Sequence, residues 1–334
     1  MKYAIIDISS SSLSLLIASK TSPSTFTVEK RQRENLSVLQ YADGGVLSER
    51  GVEKIAECLQ RLKDVCKANG VDKCYVISTA SIRNFKNFKW VSAEIKRRAA
   101  VTVNLLKGEE EALCDYVANE DYAAIEKGVL IDLGGGSIEV CALENGQATS
   151  LQCHEFVPIQ LNKRFVSDIH PTKEEAKDIK KYVKKKIDNG EEQTSYDTAV
   201  LVGATSQAIC RLYNDYYANS EKNVLEYERL KKLRKHLLTS SERSMLILKS
   251  APEKIYTLVT ATVILCVLLK HYGVEKAVIS EYGVKEGFLQ RILIGEKKYA
   301  RTSDLNEVPQ AAIDALKLPE KKKKKKEVEN GKAE

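Results

Sequence analysis

The sequence predicts an α/β protein of two similar halves facing each other across a cleft, and three observations carry that prediction. Apolar strand patterns alternate with amphipathic helix patterns through both halves, the arrangement of sheets covered by helices. An apolar run that climbs to an aspartate and turns through small residues occurs twice, as Asp7-Ile-Ser-Ser-Ser-Ser12 and as Asp132-Leu-Gly-Gly-Gly-Ser137, so the second half echoes the first. Two further glycine turns, at Gly203 and Gly283, each follow a strand pattern and open a helix pattern. Turns of this kind present backbone amides at the carboxyl ends of strands, where open α/β sheets bind ligands.

The bulk composition narrows the class. With 334 residues, 43% of them hydrophobic, the chain can bury sizeable cores, and its length favours two domains over one. No secretory pattern precedes the first strand, and the apolar run Val263 to Leu269 is too short to span a bilayer, so no membrane role is expected and the cytoplasm is the expected location. Eight cysteines are scattered singly without a C-x-x-C pair, which predicts buried free thiols over disulfides or a zinc site. Of the net charge of +7, the stretch from Lys317 to Glu334 supplies eight lysines against four glutamates. The remaining body is only mildly basic, which argues against nucleic acid as a partner, and the lysine run Lys321 to Lys326 reads as a solvated, disordered tail.

Taken in order, Lys2 to Ala18 reads as strand, small-residue turn and strand. From Ser48 the positions Val52, Ile55, Leu59, Leu62 and Cys66 recur at helical spacing, between a serine N-cap and an Asn69-Gly70 stop. A strand follows from Lys73, then a helix near Val91 to Arg98, a strand from Val101, and a helix opening at Gly108 with three glutamates. The Gly128 to Val140 hairpin comes next, then a charged helix from about Pro171 to Asp188 stopped by Asn189-Gly190, and a buried strand from Thr198 running into Gly203 and a helix. Helical patterns over Leu225 to Leu238 and Ser240 to Leu248, an apolar helix over Tyr256 to Leu269 and a last strand-turn-helix from Lys276 complete the pattern.

The turns also suggest chemistry. Gly134, Gly135 and Gly136 remove every Cβ from the second turn, so successive N–H groups can converge on an anion, while Asp132 and Glu139 place carboxylates where a metal can bridge to it. The competing reading is an ordinary glycine-rich hairpin. Ser9, Ser10, Ser11 and Ser12 make the first turn small and add hydroxyl donors. Arg83, just past a buried strand, is placed to clamp an anion, and Gly203-Ala-Thr205 opens a helix with free amides. Glu109 to Glu111 at a helix start are favourable charges on the macrodipole by default, and one of them can instead serve as a general base.

Together the segments Asp7-Ile-Ser-Ser-Ser-Ser12, Ser78-Thr-Ala-Ser-Ile-Arg83, Gly108-Glu-Glu-Glu-Ala112, Asp132-Leu-Gly-Gly-Gly-Ser-Ile-Glu139, Gly203-Ala-Thr205 and Ser280-Glu-Tyr-Gly-Val-Lys-Glu-Gly287 resemble the exopolyphosphatase/guanosine pentaphosphate phosphatase family of the actin, sugar kinase and Hsp70-like superfamily. The resemblance runs in order to about residue 295. It implies two ribonuclease-H-like domains with an interdomain cleft, here 1–115 and 116–300, followed by an extension over 301–334. It further implies removal of the terminal phosphoryl group of inorganic polyphosphate by metal-assisted, in-line attack of water, with a guanosine pentaphosphate as the alternative substrate and a non-catalytic polyphosphate or alarmone sensor as the alternative role. On this resemblance Glu111 is the carboxylate that activates water. Asp132, Glu139 and Asp7 serve the metal, Mg²⁺ with Mn²⁺ as the alternative, and Arg83, the serine turn, Gly134 to Ser137, Gly203 and Thr205 contact phosphate. Inorganic polyphosphate or guanosine polyphosphates are the implied ligands, and a homodimer is an assembly to test. The family's first turn is usually Asp-x-Gly-Ser-Asn-Ser, so Ser9 stands where a glycine offers a positive φ. Lys107, Gln160, Ala204 and Pro252-Glu-Lys254 also depart from the usual pattern, and the additional helical domains of long members are not expected.

Overall fold

The structure, a computed structural model, describes residues 1–188, 195–296, 298–302, 305–307 and 309–316. The lysine-rich stretch and the Asn189-Gly190 stop lie outside the described residues. In the first half β1 (Lys2–Ile8), β2 (Ser12–Lys20) and β3 (Phe26–Asn35) form an antiparallel meander. A small ladder of β4 (Ala42–Asp43) and β5 (Val46–Leu47) precedes α1 (Glu49–Ala68), and β6 (Lys73–Ser78) joins parallel to β1. Then α2 (Ala80–Arg83) and α3 (Phe88–Ala99) lead to β7 (Val103–Leu105), parallel to β6, and α4 (Gly108–Ala118) leaves the sheet.

The second half repeats this plan. A meander of β8 (Lys127–Leu133), β9 (Ile138–Glu144) and β10 (Gln147–His154) is followed by α5 (Pro158–Phe165), α6 (Lys173–Ile187) and β11 (Thr198–Val202), parallel to β8. Next come α7 (Gly203–Tyr217), β12 (Val224–Glu226), α8 (Tyr227–Leu237), α9 (Arg243–Ser250) and α10 (Leu258–His271), before β13 (Lys276–Ile279) pairs parallel to β11. α11 (Val284–Leu293) and α12 (Gln310–Leu316) end the described chain. The sheet orders are β3-β2-β1-β6-β7 and β10-β9-β8-β11-β13-β12, so five strands of the second sheet repeat the first. The fold is the expected α/β class, two mixed sheets of matching strand order.

Local sequence explains most elements. Ser48 caps α1 by accepting from the Gly51 amide at 3.2 Å, Val52, Ile55, Leu59, Leu62 and Cys66 are buried beneath it, and Gly70 ends it at φ +65°. α10 is buried along Leu258 to Leu269, since a helix apolar all round must sit inside a core. Seven cysteines are buried and Cys153 is exposed, all unpaired. Two strands carry no apolar alternation. β3 reads Phe-Thr-Val-Glu-Lys-Arg-Gln-Arg-Glu-Asn with no fully buried residue, and β10 is equally polar; both are sheet edges, which charge protects from further pairing. Leu225, at the start of an expected helix, instead lies in edge strand β12, paired antiparallel to β13. Among the described residues no helix is long and apolar enough to cross a membrane.

Two helices join the halves. Cys114 of α4 packs with Tyr3, Ile5 and Ile77 of the first sheet, while Tyr116 of the same helix packs with Leu130, Cys141 and Val200 of the second. α11 follows the last strand of the second sheet yet sends Phe288 and Leu289 into that same first-sheet core, and Thr302 bridges to Cys74 of β6. The expected division at 115 and 300 therefore assigns to the second half a segment whose side chains pack on the first sheet.

Candidate active site

The carboxyl ends of β1, β6, β8, β11 and β13 converge, and the turns that follow them enclose a cavity of about 330 Å³. The hairpin register sets its acidic end: Asp132 of β8 lies directly opposite Glu139 of β9, on the face that α4 covers. Like charges opposite each other weaken a sheet, so this pair has no stabilising reason to exist. α4 brings Glu111 and, one turn on, Asp115 to the same place. One carboxylate oxygen from each of Glu111, Asp132 and Glu139 lies within 4.8 Å of the others. Glu111, Asp115, Asp132 and Glu139 are all buried, and Glu111 Oε2, Asp132 Oδ1, Glu139 Oε2 and both Asp115 oxygens lack a hydrogen-bond partner.

Burial, and after it the neighbouring carboxylates, raises these groups. Glu139 is pushed up to about 8 and Asp132 to about 6, chiefly by desolvation and then by Asp132 and Asp7 respectively. Glu111 is held well above the usual carboxylate range by burial, then by Glu139, Asp132 and Asp7. Asp115 is raised for the same reasons. Three converging buried carboxylates with orphaned oxygens are the donor set of a hard divalent cation, which removes both the repulsion and the unmet hydrogen-bonding demand.

The glycine turn is required by space rather than by φ. None of Gly134, Gly135 and Gly136 adopts a positive φ. A Cβ on Gly135 would stand 2.1 Å from Ser10 Oγ, and one on Gly136 would stand 2.7 Å from the Ala80 Cβ, so the second-sheet turn lies directly against the first-sheet turn and α2. The serine turn likewise needs no positive φ at Ser9 to Ser12. It closes through the Ser9 amide and hydroxyl, both donating to the Ser12 carbonyl at 2.9 Å, so Ser9 does the work of a glycine by side-chain bonding. Gly203 does use its freedom: φ is +86°, and a Cβ there would lie 2.2 Å from Asp132 Oδ1.

The expected residues divide by location. Asp7, Ser9, Ser11, Ser12, Glu111, Asp132, Gly134, Gly135, Gly203 and Thr205 line the main cavity. Ser10 and Gly136 line a second cavity of about 410 Å³ on the other side of the glycine turn. Glu139 is buried beside the cluster, its Oε1 accepting from Cys153 Sγ at 3.3 Å, and Ser137 is buried next to both of them. The Arg83 guanidinium donates to the Leu106 carbonyl and lines neither of these cavities, although its charge reaches Glu111 and Glu139. Sequence reasoning missed the cationic side of the cavity, Arg31, Arg33, Lys254 and Lys285, and the buried Asp115. Arg31 is tied to Glu286 at 3.0 Å, and Glu286 also accepts from the Gly283 amide at 3.0 Å, linking β3 to the last glycine turn. The arginines were hidden because β3 has no apolar pattern; Asp115, four residues after Glu111, was visible as a helical pair.

Residues 16–296 match the model of the Ppx/GppA phosphatase family. A guanosine-5'-triphosphate,3'-diphosphate pyrophosphatase of Photobacterium profundum is 23% identical over 301 residues, covering 87% of this chain and 59% of the relative. Exopolyphosphatase 1 of Mycobacterium tuberculosis is 22% identical over 143 residues, 42% of each chain. The chain thus spans well under two thirds of the length of these curated relatives. Among solved structures, an exopolyphosphatase from Cytophaga hutchinsonii superposes with a TM-score of 0.79 at 17% identity, covering 88% of this chain and 98% of that one. An Aquifex aeolicus Ppx/GppA family member gives 0.74 at 22% identity, covering 90% and 99%. These likenesses establish the shared fold.

Proposed function

The chain belongs to the Ppx/GppA phosphatase family, and from that premise we propose that it cuts the terminal phosphoanhydride bond of inorganic polyphosphate and releases orthophosphate. The observation that carries the reading is the convergence of Glu111, Asp132 and Glu139, buried, with oxygens left unpaired, at the wall of a cavity whose other side is cationic. A cluster of this cost persists where chemistry needs it.

In this reading Asp132 and Glu139, with Asp7 of the first sheet, would hold the divalent ion, Mg²⁺ or Mn²⁺. A divalent ion so held offsets the carboxylate repulsion and draws charge from the phosphoryl oxygens. Glu111 is the general base: it takes a proton from the water whose oxygen attacks the terminal phosphorus, while the bridging P–O bond breaks and the shortened chain leaves with the electron pair. Amides of Gly134, Gly135 and the first turn of α7, with the hydroxyls of Ser11, Ser12 and Thr205, supply donors for the equatorial oxygens, which is most of what phosphoryl transfer asks of a protein, while Ser9 shapes the turn that presents them. Arg83 acts through its charge, which reaches Glu111 and Glu139. The eight unpaired cysteines suit a reducing compartment, and we place the protein in the cytoplasm.

The test is phosphate release from medium-chain polyphosphate with Mg²⁺, against guanosine pentaphosphate as the competing substrate, compared by kcat/KM. A clear preference for the nucleotide replaces polyphosphate by the alternative substrate. Binding without turnover of either in any divalent metal discards the enzyme reading.

A further inference from the structure

Resting on the reading of this cavity as a phosphoanhydride site, we propose that Arg33 and Lys254 form a second anion subsite that grips the substrate behind the bond being cut. They come from opposite halves: Arg33 from β3, Lys254 from the turn Pro252–Lys254 ahead of α10, and both line the main cavity.

The first-sheet register gives the spacing. Asp7 pairs with Ser14, and Ser14 pairs with Arg33, so the three share one face in a row across β1, β2 and β3. Two strand spacings put Arg33 roughly 10 Å from Asp7. Its Nε donates to Ser12 Oγ at 2.9 Å, which aims the guanidinium along the serine turn. On the other wall, Lys254 Nζ bonds to Thr205 Oγ1 at 3.3 Å, in the first turn of α7, where backbone amides are free of helical partners.

Neither cation is held in a close ion pair, although the charge of Glu253 reaches both and that of Asp7 reaches Arg33. Among the described residues neither Arg33 nor Lys254 forms an ion pair, and the carboxylate next to Lys254, Glu253, is committed to Arg211 at 2.6 Å. Two cations from separate elements line one partly enclosed cavity, and the carboxylate they share, Glu253, is drawn off to Arg211, so positive charge is left over for an anion between them. Burial, and after it the charge of Arg33, holds the Lys254 ammonium down to about 8. The cavity therefore has an acidic pole at Glu111, Asp132 and Glu139 and a cationic pole at Arg33 and Lys254. An anion filling both must be elongated, with phosphoryl groups in series, because a single phosphate reaches one pole only. After cleavage the cationic pole retains the shortened chain, which is the leaving group.

The experiment uses the full chain and the variants Lys254→Met, Arg33→Met and Lys254→Arg. Two readouts are taken: kcat and KM on medium-chain polyphosphate, and calorimetric binding of tripolyphosphate. Each methionine variant is expected to raise KM and weaken tripolyphosphate binding about tenfold, the scale of one charge-assisted contact, while kcat at saturation stays within about twofold and Lys254→Arg restores binding. Unchanged KM and binding in both methionine variants, or a fall in kcat with KM unmoved, overturns the subsite. If the parent releases no phosphate from any polyphosphate, the catalytic reading fails, and calorimetry alone then decides: binding lost in Lys254→Met and restored in Lys254→Arg upholds the subsite, and binding indifferent to both discards it.

Discussion

Gly287 fixes how closely α11 approaches α4. A Cβ built on it would stand 1.8 Å from the Cys114 carbonyl oxygen, 2.5 Å from its carbon and 2.8 Å from the Cys114 Cα, whereas real Cβ atoms essentially never come within 3.0 Å of such neighbours. The obstacle is helix backbone, so Gly287→Ala must part the two helices by about 1 Å, an overpacking that costs about 1–3 kcal/mol. Alanine recovers up to about 1 kcal/mol of helix propensity, which at full recovery leaves a net loss of about 0–2 kcal/mol and a fall in Tm of at most several degrees. Activity should suffer far more. Glu111 sits three residues before Cys114 on the displaced helix, and about 1 Å of misplacement at a reacting group costs on the order of a hundredfold in rate. The assay pairs Tm with phosphate release, using Gly295→Ala as control. Gly295 has φ +75° with open space around its Cβ, so it loses stability without touching α4. Equal activity in the two variants, or parental activity in Gly287→Ala, refutes the reasoning.

Other outcomes follow from the same geometry. Glu111→Gln should lower phosphate release by about 10²–10⁴-fold and lessen the loss of metal-free Tm at alkaline pH, because it removes a carboxyl whose ionisation burial and its acidic neighbours oppose; an unchanged pH dependence counts against the cluster as drawn. Folded Glu139 sits at about 8 and Asp132 at about 6, against ordinary values of 4.5 and 3.8, so between those limits the folded chain binds more protons than the unfolded one. Metal-free stability should therefore fall as pH rises from about 4 to 8, and Mg²⁺ should raise Tm more at the alkaline end; a Mg²⁺ effect independent of pH contradicts this. Gly203→Ala forces φ +86° on an alanine and drives its methyl into Asp132. It should abolish phosphate release and weaken the Mg²⁺-dependent rise in Tm, and a variant with parental values for both removes Asp132 from the metal.

The repeated Asp-led turns were legible because strand, acid and small residues are local signals, and they placed Asp7, Asp132 and Gly203 at the convergence of the sheets. The closeness of Glu111 to Asp132 and Glu139 needed the resemblance as well as the pattern, since α4 meets β8 and β9 through packing that no short window encodes. β3 and β10 escaped because an edge strand with charged faces has no apolar period, and Arg31 and Arg33 escaped with them. Lys254 was seen as a departure from a pattern, yet its direction depends on Thr205, 49 residues away. The run of three glycines is visible as bare backbone in the sequence, but at Gly135 and Gly136 the space is taken by the opposite wall at Ser10 and Ala80, a tertiary contact rather than a turn conformation.

α4 belongs to both cores, through Cys114 on one side and Tyr116 on the other. A helix anchored on both sides cannot follow either sheet alone when the sheets move relative to each other. Glu111 is therefore carried by an element shared between the two cores rather than by one wall, and its distance from Asp132 and Glu139 registers the packing of both at once.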